Sequence, residues 1–295
     1  MIELLLCTMI WGASFIAQKL GADHFGPFAI NSYRNLIAGV FLIVCMQIRN
    51  CRREKARTSS KVMFGGILSG VCVIAAEVSQ QFGIEHTTPG ISAFLTSNYV
   101  LLVPLLGCLL GRRIGVWVWG GVALAICGSY FICFPASEPV PSFSALGSGE
   151  AWTLLCAVFF AIQIMVVDHF ASRSDLLLFS TVQMTTAGVV ALPFVFLPSE
   201  LARASWPDFV QGLPALLFLG ILASGVSYTL QILGQAKVSA AAASVVMSLE
   251  GAFAAVFGWL LLGDAMTSRQ IIGCALIFAA PFLPSLRALW PGKEV

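Results

Sequence analysis

The stretch Ser244–Asp264, SVVMSLEGAFAAVFGWLLLGD, sets one carboxylate, Glu250, in a run that is otherwise almost wholly apolar. A run of this length and composition forms a helix that crosses about 30 Å of hydrocarbon. Glu250 then stands about eleven residues from one end and about twelve from the other, at a rise of about 1.5 Å per residue, too deep to reach either surface. It must face the interior of a helix bundle or a wet cavity.

The whole chain shares this character. Of its 295 residues, 58% are hydrophobic and 10% are charged, and the mean hydropathy is +0.91; an ordinary soluble domain is about a quarter charged. Ten apolar segments of spanning length can be read, at 3–20, 28–48, 62–83, 90–110, 114–134, 150–168, 176–197, 213–234, 239–262 and 270–289. The linkers, such as RNCRREKARTSSK and PSELARASWPDFVQG, are too short for a soluble domain. The expected fold is an all-α integral membrane protein of ten transmembrane helices, with the lipid bilayer as its surroundings. The first segment has neither a basic leading region nor a small-residue cleavage site, so it is read as a helix and not as a signal peptide.

Several chemistries find no support. The nine cysteines form no CxxC pair and read as small apolar packing residues. The three histidines, His24, His86 and His169, sit at separate segment ends, so no metal cluster is expected. No GxSxG, HExxH or GxxxxGK[ST] motif occurs, which argues against an enzyme and against ATP use by this chain. No cofactor and no nucleic-acid partner are expected.

Lys and Arg near the segment ends set orientation. With a cytoplasmic N-terminus, the inner set is Arg49, Arg52, Arg53, Lys55, Arg57, Lys61, Arg112, Arg113, Arg173, Lys237, Arg287 and Lys293. The outer set is Lys19, Arg203 and Arg269, and Arg34 lies within a span. Both termini are thus expected in the cytoplasm, in a multi-pass protein of a bacterial inner membrane.

The two halves also resemble each other. An offset of 149 places Trp11-Gly12 on Phe160-Ala161, Arg34 on Gln183 and Gly39 on Gly188; further on, the run from Gly83 lies over the run from Gly234 with one residue of slippage. Five spans per copy is an odd number, so the second copy must cross the membrane in the opposite sense. Inverted repeats of this kind place a solute path near the midplane between the copies. The expected division is 1–135 for the first repeat, 136–149 for a linker and 150–295 for the second.

At family level, WGASFIAQKL at 11–20, GPFAINSYRNLIAG at 26–39, TTPGISAFLTSNYVLLVPLLG at 87–107 and SLEGAFAAVFGWLLLGD at 248–264 resemble the EamA-type members of the drug/metabolite transporter superfamily. The resemblance covers nearly the whole chain in two copies. It implies ten helices, cytoplasmic termini and a central cavity between the halves, in proteins that export or exchange amino acids, metabolites and drugs. Where the ninth-span motif commonly reads Glu-Pro, this chain has Glu250-Gly251, and Asp264 stands where a Glu commonly follows. The first departure puts a proline kink there in doubt.

Charges inside spans cost about 2.5–3.5 kcal/mol on insertion scales, so they mark candidate sites. Counting residues from the segment ends puts Arg34 and Glu77 at equal depth, roughly 9–10 Å below the outer interface. They form an ion pair, or Arg34 snorkels while Glu77 bonds locally. The repeat mate of Glu250 at offset 152 is Asn98, with Tyr99 beside it, and polar mates approach each other near the axis. Polar stripes follow at helical spacing: Ser14 and Gln18, Asn31 and Asn35, Glu77 and Gln81, and Ser224, Tyr228 and Gln231, with Gln163 and Gln183 on two further spans. Each stripe reads either as interhelical hydrogen bonding or as solute contact. The candidate cavity residues are Trp11, Ser14, Gln18, Arg34, Glu77, Gln81, Asn98, Tyr99, Gln163, Gln183, Tyr228, Gln231 and Glu250.

A lining with many amides and few fixed charges suits a small amphipathic or zwitterionic solute. The expected function is a secondary carrier of small organic metabolites, amino acids foremost, working by alternating access. A carboxylate reached from each side in turn can carry protons, so proton coupling enters as an expectation. The competing readings are a nucleotide-sugar or sugar-type exchanger, which scarce intramembrane Arg and Lys disfavour, and a receptor or scaffold. Oligomeric state is not encoded in any feature above.

Overall fold

The structure is a computed structural model and describes residues 1–52, 59–86, 89–134, 147–171, 175–203, 205–263 and 266–286. Arg53, Lys55, Arg57, Arg173, Asp264, Arg287, Lys293 and linker residues 136–146 lie outside the described residues. The described residues are almost wholly helical. In order come α1 (Ile2–Ala22), α2 (Pro27–Arg52), α3 (Ser60–His86), α4 (Pro89–Ser97), α5 (Tyr99–Leu109), α6 (Val116–Cys133), α7 (Ser148–Ala171) and α8 (Leu176–Ala191). A 3-10 turn (Leu192–Phe196) leads to α9 (Pro198–Leu201). Then follow α10 (Trp206–Leu217), a wide π-helical segment (Phe218–Val226), α11 (Ser227–Gln235), α12 (Ala240–Met247), α13 (Leu249–Phe257), α14 (Ser268–Ala279) and α15 (Phe282–Leu286).

Among the described residues, nine helical stretches are long and apolar enough to cross a membrane, and a shorter apolar one spans Ser268–Pro284. Their burial pattern suits a lipid solvent. Val40, Leu109 and Phe196 are 63%, 82% and 68% exposed, while Asn35, Gln163, Gln183 and Ser224 are fully buried. Polar groups turn inward because hydrocarbon offers them no partner.

Three segments differ from the sequence reading. The spans at 90–110 and 239–262 are not single helices: α4 gives way to α5 at Asn98, and α12 to α13 at Ser248. At the first break the Asn98 side chain donates to the Phe94 and Leu95 carbonyls; at the second, Ser248 Oγ donates to the Val245 carbonyl. Side chains that bond into the main-chain ladder in this way bend helices. The span expected at 213–234 begins earlier, at Trp206, inside the supposed linker. The start signal is visible in retrospect: Ser205 caps the helix by accepting from Asp208 N, and Pro207 occupies its first turn.

Packing depends on small residues, as it must where the surrounding lipid is as apolar as the protein. A Cβ on Gly128 would meet the Gly273 carbonyl oxygen at 2.6 Å, and a Cβ on Gly273 would meet that of Gly128 at 2.6 Å, so α6 and α14 cross backbone to backbone. A Cβ on Gly12 of α1 would stand 2.5 Å from Phe253 Cβ on α13. The ends are tied by polar contacts. Glu200 of α9 accepts from Phe28 N and Ala29 N at the start of α2, at 3.2 and 2.9 Å. Asp175 caps α8 and takes a two-pronged ion pair from Arg49, each contact 2.6 Å. The Arg49 guanidinium holds the Asp175 carboxyl below its ordinary range. A lowered carboxyl stabilises the fold above the unfolded-state pKa, and that contribution fades as pH falls.

The neighbour pattern has an exchange property. α1 packs on α13 and α11, and α7 packs on α4, α5 and α3; α2 packs on α8 and the π-helical segment, and α3 on α8; α6 packs on α14, and α5 on α12. Swapping α1 with α7, α2 with α8, α3 with α10–α11, α4–α5 with α12–α13 and α6 with α14 leaves this pattern unchanged.

Gly128→Val should lower stability by about 1–3 kcal/mol through overpacking at the α6–α14 crossing. Thermal unfolding in detergent reads this, and an unchanged midpoint would mean that the crossing yields freely.

Candidate functional site

A cavity of about 40 Å³ lies at the centre of the bundle, room for a few waters. α1 contributes Trp11, Ser14, Phe15 and Gln18 to its wall, α2 contributes Arg34, and α3 contributes Gln80. Tyr99 comes from the top of α5, Phe160, Gln163 and Ile164 from α7, Tyr228 and Gln231 from α11, Met247 from the end of α12 and Glu250 from the start of α13. The two helix breaks thus deliver Tyr99 and Glu250 to the same space.

Two carboxylate–tyrosine pairs organise the site. The Tyr99 hydroxyl donates to Glu250 Oε1 at 2.9 Å, and the Tyr228 hydroxyl donates to Glu77 Oε1 at 3.2 Å. Both pairs are 151 positions apart in sequence, the offset that lays Gly83 on Gly234. Their surroundings differ. Glu77 also takes the Arg34 ion pair on Oε1 and Asn35 Nδ2 on Oε2 at 2.6 Å, so its charge is balanced and both oxygens are used. Glu250 is 7% exposed and takes Tyr99 alone; no cation approaches it among the described residues. The Arg34 Nε–H, buried in a side chain that lines the cavity, has no partner.

Amides close one flank. Gln163 and Gln231 bond reciprocally, with Gln231 Nε2 donating at 3.0 Å and Gln163 Nε2 at 3.4 Å. Behind them Ser69 Oγ donates to Gln183 Oε1 at 2.6 Å. Trp11 Nε1 donates to the Ala223 carbonyl at 3.0 Å, and its ring stands edge-on to Tyr228, 5.0 Å between centroids. Gln18 reaches Ser14, which is itself bonded to the Trp11 carbonyl.

Four expected residues lie outside the wall. Glu77 and Gln183 stand one layer behind it, holding Arg34 and Gln163. Gln81 is buried away from the cavity with Nε2 unpartnered, and Gln80 takes the wall position, bonded to Thr96 at 3.4 Å. Both follow Glu77 at helical spacing, and packing against α4 decides between them. Asn98 does not meet Glu250; its side chain is spent on its own helix, and the approach expected of it is made by Tyr99. Neighbours on a helix point about 100° apart, so one residue of slippage decides which of them faces the axis. Ser224, counted in one stripe with Tyr228 and Gln231, has an unpartnered buried hydroxyl because the π-helical turn breaks the expected period. Ile164 and Met247 add apolar wall that no polar pattern marks.

Comparison with known proteins bears on this geometry. A family model described as the EamA-like transporter family matches residues 1–134 and 147–286. An uncharacterized transporter of Archaeoglobus fulgidus is 27% identical over 285 residues, covering 96% of this chain and 85% of its own length. A protein of Streptantibioticus cattleyicolor named a probable terminal-alkyne amino-acid exporter is 25% identical over 296 residues, covering 99% and 95%. A solved crystal structure, 18% identical, aligns with a TM-score of 0.79 over 99% of this chain and 98% of that one, which speaks for the fold alone. Matched along both halves and built of apolar helices around a polar cavity, the chain belongs to the EamA-like transporter family and is a multi-pass membrane transporter.

Proposed function

We propose that the chain is a secondary carrier that moves small amphipathic metabolites, amino acids foremost, outward by alternating access through the central cavity. The observation that carries this reading is the asymmetry of the two carboxylates: Glu77 is neutralised, and Glu250 is left with a hydroxyl donor and no cation. A substrate ammonium group supplies the missing charge. A substrate carboxylate is drawn to Arg34, which lines the same cavity and whose buried Nε–H has no partner. A zwitterion satisfies both. The amino-acid exporter named among the relatives agrees with this substrate class. A nucleotide-sugar exchanger needs cationic wall to spare, and Arg34 is already committed to Glu77. A receptor or scaffold role gains ground only if no solute binds.

The working architecture is ten spans in two inverted five-helix repeats, 1–135 and 150–295 joined by 136–149, with the short Ser268–Pro284 helix as the tenth span. The exchange property of the packing and the breaks at Asn98 and Ser248 support the repeat. In this reading both termini lie on the cytoplasmic side of a bacterial inner membrane, and the basic set that includes Arg49, Arg112 and Lys237 supports that orientation. Proton coupling runs through Glu250, the cavity carboxylate free to exchange its counter-charge.

Glu250→Gln keeps the Tyr99 bond and removes the charge. In proteoliposomes it should cut amino-acid flux by roughly one to two orders of magnitude, the scale of one charge-assisted bond. Flux and pH dependence equal to the parent would reduce Glu250 to a packing residue.

Arg34→Met strands the Glu77 carboxylate and should cost about 3–5 kcal/mol, whereas Arg34→Met combined with Glu77→Leu should cost much less. Chemical unfolding of the singles and the double reads the difference; additive losses would dissolve the pair.

A further inference from the structure

A second cavity, of about 270 Å³, lies between α1, α4, α6, α13 and α14. It shares a single lining residue, Phe15, with the central cavity. One end reaches Ser97 and Gly251, the residue after Glu250; the other reaches Lys19 and Gln270. The wall that runs from α13 into the π-helical turn after it (Gly258–Leu262) is small throughout: Gly251, Ala254, Ala255 and Gly258. At Gly251 an added Cβ would meet only Ser97 Oγ at 3.8 Å, so the space in front of it is open.

Charge marks one end of this space. Lys19 is exposed and has no hydrogen bond or ion pair among the described residues, and no acidic side chain lines the cavity among them. The position 149 residues on is Asp168, and its situation is the reverse. It accepts from Ala240 N at 3.0 Å and pairs with Arg112. Val103, Gly107 and Met165, which correspond to Ala254, Gly258 and Ile16, line a smaller space of about 170 Å³ beside that clamp. One end of the bundle is pinned and its counterpart is unpinned.

We propose that the larger cavity is an outer vestibule in which the transported solute docks on its way out, with Phe15 as the movable partition from the central cavity. The solute class is one with a carboxylate, held at Lys19, and an apolar body as large as an aromatic ring, laid along the Gly251–Gly258 wall. This rests on the reading of the central cavity as the transport site and of the Lys19 end as the outer one.

The test uses Ala255→Cys in right-side-out vesicles, a membrane-impermeant methanethiosulfonate, and peptide mass spectrometry to follow modification at position 255. L-Phenylalanine at about ten times its dissociation constant should slow modification about tenfold, the mass-action expectation for an occupied site. 2-Phenylethylamine, which lacks the carboxylate, should not. Lys19→Gln should remove the protection and Lys19→Arg should keep it. Gly251→Leu, filling the open space, should also remove it. Protection that survives Glu250→Gln while flux is lost separates the vestibule from the transport site; if flux is unaffected by that change, the vestibule stands and the central reading falls. With Phe15→Ala, Met247→Cys in the central cavity should become reachable by the same reagent, and continued inaccessibility would remove Phe15 as the partition. Modification by lipid-soluble maleimides alone, or equal protection by the amine, would overturn the proposal and mark a lipid-filled crevice.

Discussion

A carboxylate inside a membrane bundle has to be balanced by something, because neither water nor lipid will do it. Glu77 is balanced from within the protein, by Arg34, Asn35 and Tyr228, and this knot joins α2, α3 and α11 at one depth. Most of the site hangs from it. Arg34 is held where it touches the cavity, and Tyr228 is held where it supports the edge of Trp11. Glu250 is buried without such balance and lines the cavity that Glu77 stands behind, so the two acids differ both in charge partners and in access.

The helix breaks serve this arrangement. An unbroken helix presents side chains at fixed intervals and spends its main chain on itself. At Asn98 and Ser248 the side chains bond their own backbone, the axis bends, and Tyr99 and Glu250 follow immediately. The amides of Gln163 and Gln231, with Gln183 behind them, offer a different kind of wall: neutral, with donors and acceptors in equal number.

The sequence carried the class and the rough position of most apolar segments along the chain, since both follow from hydropathy. The Arg34–Glu77 pair was one of the two readings that counting residues from the segment ends left open. Rotation about a helix axis was not readable to one residue: Asn98 against Tyr99 and Gln81 against Gln80 differ by about 100°, and only packing of neighbours settles such a choice. Ser224 lies within the π-helical segment Phe218–Val226, where the α-helical period used to count it with Tyr228 and Gln231 does not hold. Ile164 and Met247 carried no polar signal, so their place in the wall came from the fold alone.

Each tyrosine in the two buried pairs bonds the glutamate that occupies its own place in the other half. A pair of that kind maps onto itself under the exchange of helices that leaves the neighbour pattern unchanged. The Asp168–Arg112 ion pair has no such property, since the positions that correspond to it are Lys19 and Gly263. Tyr99–Glu250 and Tyr228–Glu77 are therefore the two contacts that the exchange sends onto themselves, and they differ in one respect: the carboxylate of the first lines the cavity, and that of the second lies behind it.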